Sequence, residues 1–230
     1  MRYEPALIPS RRRRKPVSET PPEAPKDCPL CPRLVAYRED NKRAEPTWFN
    51  GAAPSFGDAK ARLLIVGLAP GRMGANRTGR PFTGDYAGDL LYGTLKKLGL
   101  AEGEYRADPK DGFTLKGAMI TNAVRCAPPE NKPTPAEIAT CRPFLSSRIE
   151  ALPTMRAMLA LGSIAHESVL RAHGLKPTFS KFGHAVETQL PGGRMLVSSY
   201  HCSRYNTQTR RLTTEMFETV MARAKDLAFA

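Results

Sequence analysis

The chain has 230 residues and a mass of 25.3 kDa, with 35 Lys and Arg against 22 Asp and Glu, a formal charge of +13 and a sequence pI near 9.8. One domain with a short extension accounts for that length; no window holds the roughly 20 consecutive apolar residues of a membrane span and no charged-then-apolar leader opens the chain, so an intracellular protein is expected. So large a positive charge points to a polyanion, the phosphates of nucleic acid ahead of an anionic membrane surface.

Residues 1–26 carry Arg2, Arg11, Arg12, Arg13, Arg14, Lys15 and Lys26 against Glu4, Glu19 and Glu23, with Pro5, Pro9, Pro16, Pro21, Pro22 and Pro25 among them. Lacking helical periodicity, the segment reads as a flexible basic arm, either a solvated linker or a nonspecific tether to DNA, ahead of a single domain over residues 27–230. Leu63–Gly67 is a short apolar run that fits a buried strand and leads into the loop Leu68-Ala69-Pro70-Gly71. Leu90, Leu91, Leu95 and Leu98 recur at helical spacing and predict a helix over 86–98. A strand at 118–122, a helix at 135–152 opened by Thr134 and Pro135, and a strand at 158–162 follow. Next come a helix at 163–173, a strand at 194–198 and a closing helix at 213–228 with Met216, Val220 and Leu227 turned inward. This alternation implies an α/β fold, three-layer α/β/α around a mainly parallel central sheet. Ligands of such sheets bind beyond the carboxyl ends of the strands, so the loops after Val66, Asn122 and Ser198 are expected to meet.

Five cysteines are present. Cys28 and Cys31 form a Cys-x-x-Cys pair, and Cys126 and Cys141 flank a proline-rich stretch. In a reducing compartment disulfides are not expected, and the spacing leaves open an iron–sulfur cluster, a zinc ion or unrelated buried thiols. Cys202 stands apart and reads as a small buried side chain. Among the loops, residues 67–85 are rich in glycine, which lets backbone N–H groups approach a ligand, and Arg72, Arg77 and Arg80 are candidates for phosphate contact. Neither Gly-x-x-x-x-Gly-Lys-Ser/Thr nor Gly-x-Gly-x-x-Gly occurs, which removes the usual markers of nucleotide hydrolysis and dinucleotide binding. Asn122 ends a buried strand, where its amide suits the donor and acceptor edge of a uracil ring or caps the strand. The segment 199–213 packs His201, Ser203, Arg204, Asn206, Arg210 and Arg211 behind an apolar strand, a place for donors to a developing anion and for phosphate contacts. His166, His173 and His184 lack such neighbours and read as surface or helix residues.

Together these segments resemble the uracil-DNA glycosylase superfamily, most closely its family 5, the b-type bacterial and archaeal enzymes that carry an iron–sulfur cluster. The carriers are Cys28/Cys31 and Cys126/Cys141, Gly-Leu-Ala-Pro at 67–70, Gly74 to Asp85 ending Phe-Thr-Gly-Asp, Thr-Asn-x-Val-Arg-Cys at 121–126, and Ser-Tyr-His-x-Ser-Arg-x-Asn-Thr-x-Thr from 199. The resemblance implies a [4Fe–4S] cluster on Cys28, Cys31, Cys126 and Cys141. It also implies a monofunctional enzyme, a monomer of the cytoplasm associated with the nucleoid, that hydrolyses the N-glycosidic bond of uracil or another deaminated base, such as hypoxanthine, in DNA. By similarity, His201 donates to the base O2 as charge develops, Asn122 reads the pyrimidine edge, Phe82 stacks on the ring, and Gly67, Leu68, Ala69 and Gly71 bring backbone donors to the base. Asp85 is the candidate for orienting water or stabilising the cationic sugar, with helix capping as its other reading. Arg72, Arg77, Arg80, Ser203, Arg204, Asn206 and Arg210 are the expected DNA contacts. The chain differs from the b-type pattern in having Cys202 where Pro is common and Gly71-Arg72 where a small residue is common; no Lys lies inside the matching motifs to support lyase chemistry. Two competing classes remain: a noncatalytic iron–sulfur DNA-binding module, which needs neither Asn122 nor His201, and a structural zinc protein that binds RNA.

Overall fold

The computed structural model describes residues 21–230; the basic run at 11–15 lies outside them. Residues 21–26, read from sequence as the end of a flexible arm, are packed on the domain instead. Arg125 is buried and donates to the Pro22 carbonyl at 3.2 Å and pairs with Glu23 at 3.2 Å. Glu23 also pairs with Arg148 and accepts from the Ser55 N–H at 3.0 Å. A guanidinium out of water requires a counter-charge, and this segment supplies it.

The elements run α1 (Pro32–Ala44), β1 (Phe56–Gly57), β2 (Leu63–Gly67), α2 (Ala75–Thr78), α3 (Tyr86–Lys97), β3 (Ala101–Glu102), β4 (Thr114–Leu115) and β5 (Ala118–Asn122). They continue as α4 (Pro135–Glu150), β6 (Ala157–Leu161), α5 (Ser163–Ala172), β7 (Glu187–Gln189), β8 (Met195–Ser199), α6 (Arg204–Gln208) and α7 (Thr214–Phe229). The six-stranded sheet has the order β1-β5-β2-β6-β8-β7, with its four inner strands parallel and both edges antiparallel. The inner strands are buried on both sides, and their alternate residues separate into two cores. Leu63, Ile65, Ile120, Leu159 and Val197 pack beneath α3 and α7, whereas Leu64, Val66, Met119, Met158 and Leu196 pack beneath α4 and α5. The three-layer expectation holds.

The closing helix is rotated from its expected face. Phe217, Val220, Met221, Ala224 and Ala228 are buried, whereas Met216 and Leu227 lie half-buried at the margins. Both sets keep the helical period and share Val220, so spacing alone does not choose between them; the buried stripe is turned onto Phe217, Met221, Ala224 and Ala228. α1 escaped the sequence reading because only Leu34 among its apolar residues is fully buried, beside Arg38 and Asn41. The short edge strands escaped because two or three residues show no alternation.

The carboxyl ends of β2 and β5 sit side by side, with Gly67 opposite Asn122. α3 approaches this end closely: a Cβ added at Gly88 would lie 1.7 Å from the Phe82 carbonyl oxygen and 2.8 Å from its carbon. Backbone cannot yield as a flexible side chain can. Gly88→Ala is therefore expected to destabilise the domain by roughly 1–3 kcal/mol or more, lowering Tm in a thermal melt; an unchanged Tm contradicts this packing.

Candidate active site

A cavity of about 650 Å³ opens at these strand ends. Of the residues expected at the base, Leu68, Ala69, Gly71, Phe82, Asn122 and His201 line it, together with Asp85, expected at the water or the sugar, and with Arg72, Ser203 and Arg204. Gly67 lies just beneath: a Cβ there would fall 2.4 Å from Asn122 Oδ1 and 2.6 Å from Phe82 Cζ. The missing side chain is the room in which the amide and the ring stand. Asn122 is 3% exposed and its Oδ1 has no hydrogen-bond partner, a buried acceptor left for a ligand's N–H. The loops are tied together, since Ala123 and Val124 N–H groups donate to the Gly67 and Leu68 carbonyls at 2.9 Å each.

Phe82 holds a left-handed backbone, φ 55°, and stacks on His201 with ring centroids 5.9 Å apart at 26°. Strain of that kind persists only where surrounding contacts impose it. Burial holds His201 below its usual pKa, so its imidazole is neutral at pH 7. Asn206 braces the same loop by donating to the His201 carbonyl at 2.8 Å. Asp85 combines two readings. It accepts from Gly88 N–H through Oδ1 at 2.9 Å as the cap of α3, while Oδ2 faces Gly71 and Gly74 across the cavity wall. Burial raises its pKa, with the Gly88 and Ala87 N–H groups opposing and Asp89 adding to the rise.

The arginines divide. Arg204 lies exposed over Tyr86 at 5.6 Å beside the cavity mouth. Ser203 caps α6 by accepting from Asn206 N–H at 3.4 Å. Arg72 is tethered to α1, donating to Asn41 Oδ1 at 2.6 Å and lying 4.9 Å over Trp48. Arg77 is exposed but does not line this cavity, its Nε donating to the Met73 carbonyl at 3.0 Å. Arg210 is exposed on a left-handed residue beyond α6 and likewise stands outside the lining.

Arg80 is a correction. Its side chain is 4% exposed and forms two 2.8 Å bonds to Asp111, itself 0% exposed, inside a ring of Phe56, Tyr92 and Tyr105. A charge so enclosed cannot reach phosphate. It acts on the Phe82 loop instead, with Nε donating to Thr83 Oγ1 at 2.7 Å, while the Tyr92 hydroxyl donates to the Pro81 carbonyl at 2.6 Å. The pairing with Arg80 holds the Asp111 carboxyl well below the usual range. Sequence placed Arg80 in a glycine-rich basic loop, and nothing local there announced a partner thirty-one residues away.

Cys28 and Cys31 precede α1, Cys31 at its N-cap, Cys126 follows β5, and Cys141 projects from α4; all four line one small cavity with Leu34, Val124 and Phe144. Arg33 joins the two helices by pairing with Glu137, the capping-box residue of α4, at 2.7 Å. The Arg125 N–H donates to Cys141 Sγ at 3.3 Å. Burial, reinforced by neighbouring thiols, pushes Cys126 up to about 12, and burial pushes Cys141 up to about 11. Among the described residues, no three His, Cys, Asp or Glu side chains group closely enough to hold a single metal ion. Cys202 is fully buried in the core under α3, its thiol facing the Ala87 carbonyl at 3.6 Å and its pKa raised by burial, as its small-apolar reading expects.

The sequence profile of the Uracil DNA glycosylase superfamily matches residues 54–225. The chain is 50% identical over 207 residues to the type-5 uracil-DNA glycosylase of Thermus thermophilus, covering 87% of this chain and 94% of that protein. The chain belongs to the uracil-DNA glycosylase superfamily, in its type-5 family. Further type-5 relatives are those of Mycobacterium bovis, 44% identical over 210 residues covering 87% of this chain and 78% of that protein, and of Pyrobaculum aerophilum, 40% over 202 residues covering 86% and 88%.

Sequence reasoning missed Met73, Gly84, Tyr86 and Asn131 on the wall of this glycosylase-family cavity. Asn131 follows Glu130, both left-handed at φ 58° and 55°, a turn that the run Pro-Pro-Glu-Asn foreshadows. Its approach to Gly71 is tertiary. His166, read as a surface or helix residue, is on α5 but buried, bonded to Ser198 Oγ at 2.7 Å and to the Ser180 carbonyl at 2.9 Å. Removing half of the enclosed pair strands the Arg80 charge, so Asp111→Asn is expected to cost about 3–5 kcal/mol in urea unfolding. A loss below 1 kcal/mol contradicts the assignment of Arg80 as a buried clamp.

Proposed function

We propose that this chain hydrolyses the N-glycosidic bond of uracil, and of other deaminated bases such as hypoxanthine, in DNA, leaving an abasic site. The observation that carries the reading is the unpartnered amide of Asn122, buried under Phe82 and across from His201 in one cavity. A flipped pyrimidine offers the N–H and carbonyl that such an amide pairs with, and an aromatic ring accepts its face. A protein that only bound DNA would have no use for a buried acceptor of this kind. The reading of a noncatalytic module therefore falls behind.

As the bond breaks, charge moves onto the base and a cation forms at the sugar. Neutral His201 donates an N–H to the base oxygen that gathers the charge. Asp85, with Oδ1 fixed by the cap, offers Oδ2 to the attacking water or to the sugar cation. Asn122 discriminates among bases. Arg72, Ser203 and Arg204 at the cavity, with Arg77 and Arg210 beyond it, meet the phosphates. No helix of the described residues is long and apolar enough to cross a membrane, and the protein's place is taken to be the cytoplasm, acting as a monomer on nucleoid DNA.

Cys28, Cys31, Cys126 and Cys141 would hold the family's [4Fe–4S] cluster. The donor set fits: four thiols from three parts of the chain face one apolar cavity, with the Arg125 N–H directed at Cys141 Sγ. Once bound, the group supplies cross-links between α1, the β5 loop and α4. The raised thiol pKa values describe protonated cysteines, and ligation converts them to thiolates.

The test is a time course of abasic-site formation on matched duplexes containing uracil opposite guanine, hypoxanthine opposite thymine or no lesion. Lesion-dependent abasic sites are expected, and lesion-bearing DNA that acquires none overturns the proposal. His201→Ala should slow release by roughly 10²-fold or more with DNA affinity retained; retained activity removes it from the chemistry. Because the Asp85 pKa is raised, the rate should climb with pH through a carboxyl above the ordinary range and level off at higher pH; Asp85→Asn should abolish that acidic limb. Cys126→Ser should lower iron content and Tm together, and unchanged iron removes Cys126 from the ligand set.

A further inference from the structure

We propose that a second cavity, bounded by Lys26, Trp48, Phe49 and Arg77, binds the DNA strand flanking the flipped nucleotide, an inference that rests on the reading of the first cavity as a base-release site. It is an open hollow of about 590 Å³, and the continuous segment from Met73 to Thr78 runs from the wall of the first cavity into the wall of the second. Met73 and Gly74, just before α2, face the base cavity, whereas Arg77 and Thr78 at its end face the second.

The aromatic side is held to that wall. The Phe49 N–H donates to the Arg77 carbonyl at 3.0 Å, the Asn50 N–H to the Asn76 carbonyl at 2.9 Å, and Asn76 Nδ2 to Asn50 Oδ1 at 3.0 Å. Arg72 lines the base cavity and lies 4.9 Å over Trp48, so one cation–aromatic pair joins the two spaces. Lys26, exposed, lies 4.9 Å over Phe49, and Arg77 is exposed beside it. Asp108 is the carboxylate among the lining residues; its Oδ1 is occupied by the Lys110 N–H at 2.8 Å, between exposed Arg106 and Lys110. Two exposed cations, neither of them ion-paired among the described residues, against one hydrogen-bonded carboxylate favour an anion. Aromatic rings next to cations suit the alternation of deoxyribose and phosphate, with Trp48 as the surface for a sugar or base. The shared wall and the charge together select the strand that already enters the first cavity, rather than an unrelated partner.

Trp48 is the chain's one tryptophan, so its emission reports on this cavity. The full chain is titrated with a lesion-free duplex, following tryptophan emission, and in parallel with the same duplex carrying a distant fluorophore, following anisotropy. Emission is expected to change in step with anisotropy, and Lys26→Glu should weaken binding about fivefold and flatten the dependence of log affinity on log salt by about one unit. Rising anisotropy with constant emission, and unaltered affinity in Lys26→Glu, shows DNA bound elsewhere and overturns the proposal. Absent anisotropy overturns the DNA reading itself. An emission change with an acidic peptide but not with DNA assigns the cavity to a protein partner and overturns it as well.

Discussion

Everything at the active cavity depends on a side chain that is not there. β2 and β5 pair in parallel with Gly67 opposite Asn122, and neighbouring strands lie only about 4.8 Å apart. Any Cβ at Gly67 would occupy the place of the Asn122 amide oxygen and of the Phe82 ring edge. Glycine at this one strand end lets a buried amide and an aromatic ring converge beside the open crevice, where parallel sheets present ligands.

The second constraint is how Phe82 is kept there. A left-handed phenylalanine is unfavourable by itself, and the cost is met by contacts on both sides. Gly88 lets α3 close against the Phe82 carbonyl, and the enclosed Arg80–Asp111 pair fastens the neighbouring Thr83. The arginine that looks most suited to phosphate thus serves the geometry of the Phe82 loop from inside the protein. Asp85 couples the same elements, since one oxygen starts α3 and the other faces the cavity.

The cysteine region has a comparable logic on the other flank of β5. Arg33–Glu137 and Arg125–Glu23–Arg148 gather α1, α4 and the first described residues around four thiols. The strand that delivers Asn122 to one cavity continues within four residues to Cys126 in another. A group bound by the thiols would therefore steady the loop that follows Asn122.

The sequence by itself determined the strand and helix alternation, because fully buried parallel strands are written as uninterrupted apolar runs and their helices as 3.6-residue stripes. It also determined which loops would meet, since the crevice follows from the direction of those strands, and the motifs in those loops carried Asn122, His201, Phe82 and Asp85 to the site. It did not show α1 or the short edge strands, whose patterns are too polar or too brief to register. Only the tertiary structure decided the fate of individual charges: Arg80 inward to Asp111, Asn206 onto the His201 carbonyl, Arg72 onto Trp48, and Glu23 down to Arg125. The reason is physical. Burial of apolar residues repeats along the chain with a local period, whereas the position of a long polar side chain is set by a partner distant in sequence and by the cost of leaving a charge unpaired out of water.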